Sequence, residues 1–343
     1  MLSLSVMPPH PDSPRKPLRV LTNFARFPEQ WALSNGWSGT SKIVHAFQDF
    51  VDSLAECDVV LVNCELSLTY RLCLYFAILP WKRKPLLVAD LVLSYPESRS
   101  ARFKTAFKKA ILRRVDHFIN YFKYSEGYGK FYGITADKSS FVHFKSNLRY
   151  RQETVANPDG EYVLCLGRSR RDYDTFFHAV EKLPYPAAIP RPNFAQLREH
   201  GSRFTRQMTE LPPGLQLLDD DGTQQAMMRM IAGAKVVALP IIPNTFQLAG
   251  VSVCLDAMLL GKCVILTEGA GVIDALTDEA LFAHVSDADA LAAQIRAAWE
   301  DDNLRLSTAR KGYEHAVSVG GEPELFERIL GAVTNWMGST ARR

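Results

Sequence analysis

The 343 residues suffice for two domains of ordinary size, and 47% apolar with 22% charged residues is the composition of a globular protein. A net charge of +3 gives no reason to expect a nucleic-acid partner. The longest apolar stretch, 72–81, is too short to span a bilayer.

Residues 1–16 hold Pro8, Pro9, Pro11 and Pro14 and read as a mobile tail. They lack the charged start and apolar run of a signal peptide. The six cysteines are scattered without a CxxC pair, and most lie in apolar runs where a reduced thiol packs as a small hydrophobe, which fits the cytoplasm. A first strand is predicted over 18–21. The turn-rich segment 34–40 follows and feeds an apolar helix over 41–54. A glycine loop there would sit at the C-terminal edge of a parallel sheet, where open α/β folds bind ligands, so Gly36 and Gly39 are acceptor-side candidates. Next come a strand over 58–63, a helix over 67–79 and a strand over 85–90 that ends on Asp90. A basic helix over 98–114 and strands over 117–121 and 141–144 complete the first half. This alternation implies a parallel sheet with right-handed crossovers. The basic helix carries Arg99, Arg102, Lys104, Lys108, Lys109, Arg113 and Arg114 beside Phe103 and Phe107, and Trp81-Lys82-Arg83-Lys84 lies nearby. That mixture suits an anionic membrane surface, while a sheet-packed helix with a solvated basic face explains it equally well.

The polar segment 149–160 is the best domain linker, with Asn157-Pro158-Asp159-Gly160 at its end. The alternation then restarts: a strand over 161–166, a loop, a helix over 173–183, strands over 187–189 and 214–218, a helix over 224–232 and a strand over 235–239. Gly250 next lets the backbone approach a ligand, Ser252 is placed to cap the helix that starts there, and Gly261 ends it. A buried strand over 263–266, a glycine loop over 268–271 and helices over 288–300 and 322–337 follow. A glycine loop feeding a helix N-terminus is an anion site, because free N–H groups and the helix dipole converge there. Asp256, one turn in, can reach a ribose hydroxyl beside that anion. No GxGxxG, Walker loop or GxSxG elbow occurs, and the histidines are isolated.

The run Gly250, Ser252, Leu255-Asp256-Ala257-Met258, Gly261-Lys262, Val264-Ile265 resembles the nucleotide-sugar loop of the family-four glycosyltransferases of GT-B fold. Tyr162, Leu164 and Leu166-Gly167-Arg168-Ser169, then Arg171-Asp172-Tyr173, resemble the first strand and loop of that family's C-terminal domain, and 287–292 with 300–305 its closing helices. The first half matches by architecture alone. The resemblance implies an α/β protein of two Rossmann-like βαβ domains facing each other across a cleft. Its boundaries are an N-terminal acceptor-side domain over 17–148, a C-terminal donor domain over 161–320, and a closing helix and tail over 321–343 able to cross back to the first domain. It implies retaining transfer of a sugar from a UDP- or GDP-sugar to a glycan or lipid-linked acceptor, as in cell-surface polysaccharide synthesis, with no cofactor or metal. Gly250, Val251 and Ser252 would hold the diphosphate, and Asp256 stands where the family has a ribose-binding Glu. Gly167 precedes Arg168, which matches a diphosphate-binding Arg, and Arg170 or Arg171 would replace an absent Lys. Glu268 and Gly269 would line the donor pocket. Asp90 stands where members place a His against the donor sugar, so a carboxylate would orient a hydroxyl there. Leu248 replaces a Glu found in many members. A non-catalytic nucleotide- or glycan-binding protein of this fold and a sugar-nucleotide epimerase are the other readings.

Overall fold

Short runs that are apolar on both faces suit strands covered on both sides, and the strongest such runs form the centres of two parallel sheets. The computed structural model describes residues 16–340 apart from 94, 97, 124–125, 149–159, 244–248 and 269–274. The Pro-rich tail before Lys16, the linker over 149–159, Leu248, Gly269 and Gly271 therefore lie outside the described residues.

The first sheet comprises β1 (Leu18–Thr22), β2 (Gln30–Ala32), β3 (Ser38–Ile43), β4 (Val59–Asn63), β5 (Leu86–Ala89), β6 (His117–Asn120) and β7 (Ser139–Phe141). Its order is β2-β3-β1-β4-β5-β6-β7, parallel except for the β2–β3 hairpin. Helices α1 (Phe47–Ser53), α2 (Leu66–Ile78) and α3 (Arg99–Leu112) close one face through Phe50, Leu72, Phe76 and Ile111. The other face is closed from the far end of the chain by α10 (Glu322–Thr340), whose Leu325, Phe326, Ile329 and Val333 pack on Val20, Leu61 and Ile119.

The second sheet, wholly parallel, has the order β10-β9-β8-β11-β12-β13. Its strands are β8 (Tyr162–Leu164), β9 (Ala187–Pro190), β10 (Gln216–Leu218), β11 (Ala234–Leu239), β12 (Cys263–Thr267) and β13 (Leu281–Ala283). Helices α4 (Tyr173–Val180), α5 (Phe194–Glu199) and α8 (Ala288–Glu300) flank one face; α6 (Gln224–Ala232) and α7 (Val251–Leu259) flank the other. Helix α9 (Asp302–Val319) reaches both clusters with Ala309 and Ala316. Among the described residues no helix is long and apolar enough to cross a membrane.

The expected helix over 41–54 begins later, because 38–43 pairs with β1 as a strand. Gly36, with φ +80°, turns the hairpin, and Gly39 sits in β3 where a Cβ would lie 2.1 Å from the Leu18 carbonyl oxygen and 2.4 Å from the Trp31 ring. Gly39 pairs with Leu18 at the start of β1, the end of the sheet away from the strand C-termini. Neither glycine is therefore an acceptor contact; both are hairpin geometry. The strand expected over 141–144 lies two residues earlier, as β7; α5 and β13 had no sequence reading of their own, and α9 was marked only at its start, by the resemblance of 300–305 to closing helices.

Two crossings connect the sheets. The outgoing chain passes Ser146, whose N–H donates to the Gly320 carbonyl of the returning chain at 3.1 Å. Arg328 of α10 clamps both, donating from Nε to the His143 carbonyl (3.1 Å) and from Nη1 to the Val319 carbonyl (2.8 Å).

Candidate active site

A cavity of about 560 Å³ lies where the C-terminal ends of the two sheets meet. Asp90 follows β5, Tyr121 follows β6, and Phe144 and Asn147 lie on the outgoing crossing; these form the N-terminal wall. The opposite wall comes from the loops after β8 and β9, from the start of α6 and from the first turn of α7.

The loop after β8 is wound around its own arginine. Arg171 is 1% exposed, and its Nε donates to the Leu166 carbonyl at 2.7 Å and its Nη1 to the Ser169 carbonyl at 3.3 Å. Its backbone N–H is held by Ser202 Oγ at 2.8 Å, and that hydroxyl donates in turn to the Arg168 carbonyl at 2.6 Å. Tyr173 Oη pins the Gly167 carbonyl at 2.8 Å. Two glycines clear the space for the guanidinium. A Cβ on Gly167 would lie 2.6 Å from Nη2, and one on Gly250 would lie 2.4 Å from Nη1; both glycines have positive φ, +107° and +79°. Burial pulls the Arg171 pKa down from its ordinary value. No carboxylate among the described residues forms an ion pair with it, so a buried cation faces the cavity uncompensated.

Gly250 is also the N-cap of α7, and no side chain caps this helix. Ser252 thus lies inside the first turn and is not the cap the sequence suggested. The first intrahelical bond is Cys254 N–H to the Gly250 carbonyl, which leaves the N–H groups of Val251, Ser252 and Val253 at the open end. A helix N-terminus and a buried guanidinium therefore converge on the same point of the wall.

Asp256, fully buried, has divided its carboxylate. Oδ1 accepts from Ser146 Oγ (2.6 Å), Asn147 N–H (2.9 Å) and Leu148 N–H (3.1 Å), all on the outgoing crossing. Oδ2 has no partner among the described residues, and Asp256 lines the cavity. Burial raises its pKa, opposed by those hydrogen bonds. The helix that carries the anion site is thus tied to the domain crossing.

Asp90 stands at the end of β5 with φ 48°, next to Cys64 at the end of β4 with φ 51°. Such angles are uncommon outside glycine and mark a backbone held by its surroundings. Withdrawal from bulk water pushes the Asp90 pKa up to about 7, opposed by a hydrogen bond from the Cys64 thiol.

Of the other residues expected here, Arg168 is exposed and donates to Gln196 Oε1 of α5 at 3.2 Å; it lines the cavity, but the guanidinium against Gly250 belongs to Arg171. Glu268 pairs with His284 at 2.7 Å and is not among the residues lining the cavity, which corrects its expected donor role. Gly36 and Gly39 do not line it either. The sequence reading missed Tyr121, Phe144 and Asn147 on one wall and Asn193 and Gln196 on the other. Asn193 had a signal: it follows a strand end and caps α5 by accepting from Gln196 N–H at 3.2 Å.

No family model and no curated protein matches the sequence. Solved structures do match its fold. HepE from Anabaena, in a complex with UDP and glucose, superposes with a TM-score of 0.61 at 15% identity over 84% of this chain and 80% of that one. The sucrose-phosphate synthase of Thermosynechococcus elongatus gives 0.58 at 15% identity over 94% and 89%. An α,α-trehalose-phosphate synthase (UDP-forming) from Burkholderia vietnamiensis gives 0.58 at 12% over 87% and 77%. At these identities the likeness establishes the fold: two Rossmann-like domains facing each other across a cleft, the GT-B arrangement.

Proposed function

We propose that this chain is a glycosyltransferase that moves a sugar from a nucleotide-sugar donor, UDP- or GDP-linked, to a glycan or lipid-linked acceptor. The observation that carries the reading is the Arg171 guanidinium, without an ion-pair partner among the described residues, buried against Gly250 at the open end of α7 and facing the interdomain cavity. Glycosyl transfer breaks the anomeric C–O bond, and the electron pair leaves with the diphosphate. A cation and free N–H groups already in place stabilise that charge without reorganisation. The acceptor oxygen forms the new bond and passes its proton to the departing diphosphate. Asp90, across the cavity, orients a hydroxyl of the sugar or acceptor, and Asp256 Oδ2, closed off in this structure, takes a ribose hydroxyl once the wall over it yields. Arg168 at the rim adds a second positive charge to the donor. Retention of anomeric configuration and a place in cell-surface polysaccharide synthesis follow from the resemblance of 250–265. Five of the six cysteines are buried and all are free thiols, in keeping with work in the cytoplasm. The fold matches include structures holding UDP and UDP-glucose, which supports the choice of donor.

A thermal-shift screen with UDP and GDP tests the donor site, since a ligand at about 100 times its dissociation constant adds about 2.7 kcal/mol. Mass spectrometry of products then tests transfer: nucleoside diphosphate released only with acceptor present is the expected result. Conversion of the nucleotide sugar without acceptor would favour an epimerase. Stabilisation without turnover would favour a binding protein, and no shift with either nucleotide would remove the donor site.

A further inference from the structure

Helix α3 is built against the usual rule for a helix laid on a sheet. Its inward face carries Thr105, Ile111 and Leu112. Phe103 and Phe107 are 81% and 67% exposed, and with Ala106 and Ala110, also exposed, they make an apolar stripe at i, i+3, i+4, i+7 that faces solvent. Arg99, Arg102, Lys104 and Arg113 are exposed around it. The adjacent α2 also exposes Leu74 and Ile78, and Trp81 on the following turn is 75% exposed. Neither 66–89 nor 98–115 contains an Asp or Glu. Single exposed apolar side chains are ordinary, but four on two adjacent helices, with Trp81 on the turn between α2 and the strand that follows, in a mainly basic setting are a docking surface.

We infer that the α2–α3 face docks on a membrane surface rich in anionic lipid, with both helices lying in the interface and Phe103, Phe107, Ile78 and Trp81 among the headgroups. The charge selects the occupant. The charged residues of α3 and of 81–84 are all Arg or Lys, and the adjoining Asp116 is taken up by Arg83, which leaves the complement of an anionic interface. Two copies of the same face would bring only like charges together. Val92, 43% exposed, lines the interdomain cavity and lies in the segment leading into α3, so docking brings the cavity close to the interface where a lipid-linked acceptor resides.

Flotation of the full chain with vesicles decides the matter, without sugar donor, so its outcome is independent of the proposed transfer activity. Recovery is expected with phosphatidylglycerol–phosphatidylcholine vesicles and not with phosphatidylcholine alone, and added salt should release the protein. Phe103→Ser with Phe107→Ser should lower recovery about tenfold or more while leaving the thermal melt unchanged, since both rings are exposed. Arg102→Gln with Lys104→Gln should weaken anionic recovery and its salt dependence together. Equal recovery from both lipids, no recovery from either, or wild-type recovery of the Phe103/Phe107 variant overturns the inference. So does a concentration-dependent dimer, seen by light scattering without vesicles and lost in that variant, which would assign the face to a second copy.

Discussion

Arg171 and Arg168 illustrate how little separates two arginines in one loop. Arg171→Ala should reduce turnover by about 10²–10³-fold, by analogy with removal of one oxyanion donor, and also destabilise the fold by about 1–3 kcal/mol, since the carbonyls of Leu166 and Ser169 lose their donor. Arg171→Lys should restore only part of the rate, because an ammonium cannot bond its own loop and face Gly250 with a planar fork. Arg168→Ala, on an exposed side chain, should act mainly on the donor Michaelis constant. Steady-state kinetics with thermal melts separates the three, and equal loss of turnover in both alanine variants would return the leaving-group role to Arg168. The Gly-Arg-Ser-x-Arg spacing made both candidates visible in the sequence. What chose between them is the left-handed Gly167, whose turn sends one guanidinium inward, and no spacing rule reports that. Asp90 carries a pH signature. An unfolded carboxyl titrates near 3.8, whereas Asp90 titrates at about 7, so the native state holds the proton more tightly in that interval. Stability therefore falls as pH rises through it, and the cost is complete above the native value. Asp90→Asn should raise the melting temperature above pH 7 and leave it unchanged below pH 3.8, and it should remove an acidic limb of turnover near pH 7. An unchanged limb in the variant would assign that titration elsewhere.

At the scale of elements, the first turn of α7 is the part that the sequence placed best. Gly250, Val251 and Ser252 line the cavity at the open helix end, as the glycine-to-helix pattern implied. Gly250→Ala should be more damaging than its size suggests. The φ of +79° costs an alanine about 1–2 kcal/mol, and the new Cβ would meet the Arg171 guanidinium at 2.4 Å. Calorimetry should show nucleotide affinity lost while far-ultraviolet circular dichroism stays native. Retained affinity would mean that the guanidinium can move aside without consequence. The β2–β3 hairpin shows the opposite case. Ser38-Gly39-Thr40-Ser41-Lys42-Ile43 has no apolar alternation, and it becomes a strand because β1 offers an unpaired edge. Pairing of this kind is decided by tertiary context. Without it, a glycine-rich turn after the first strand resembles a binding loop, which is why Gly36 and Gly39 misled. Beyond 305 the helix α9 was not legible for a related reason: its exposed residues outnumber its buried ones, so its period is faint.

In the whole molecule the N-terminal sheet depends on α10. Burial of Leu325, Phe326, Ile329, Leu330 and Val333 contributes on the order of 10 kcal/mol, at about 1.5–3 kcal/mol for each side chain. That equals the entire net stability of an ordinary domain. A chain ending at residue 319 should therefore fail to give soluble, cooperatively melting protein. Native melting of the 319 truncation would mean that the first sheet folds with one face open. The two-domain alternation was legible from the sequence because parallel strands repeat with helical spacers. The cavity's composition was less so, since Tyr121, Phe144 and Asn147 meet the donor-side wall only when the domains face each other.

The return of α10 to the first sheet also orders events at the ribosome. The strands β1, β4, β5 and β6 are made first, yet the face that carries Val20, Leu61, Leu87 and Ile119 stays bare until 322–340 have been translated. At about 5–20 residues per second, the intervening synthesis from 148 to 322 takes roughly 10–35 s. Throughout that interval the nascent chain presents an apolar sheet face to its surroundings, and the second sheet, begun later, can close before the first. The sheet that contains β1 is closed only by α10.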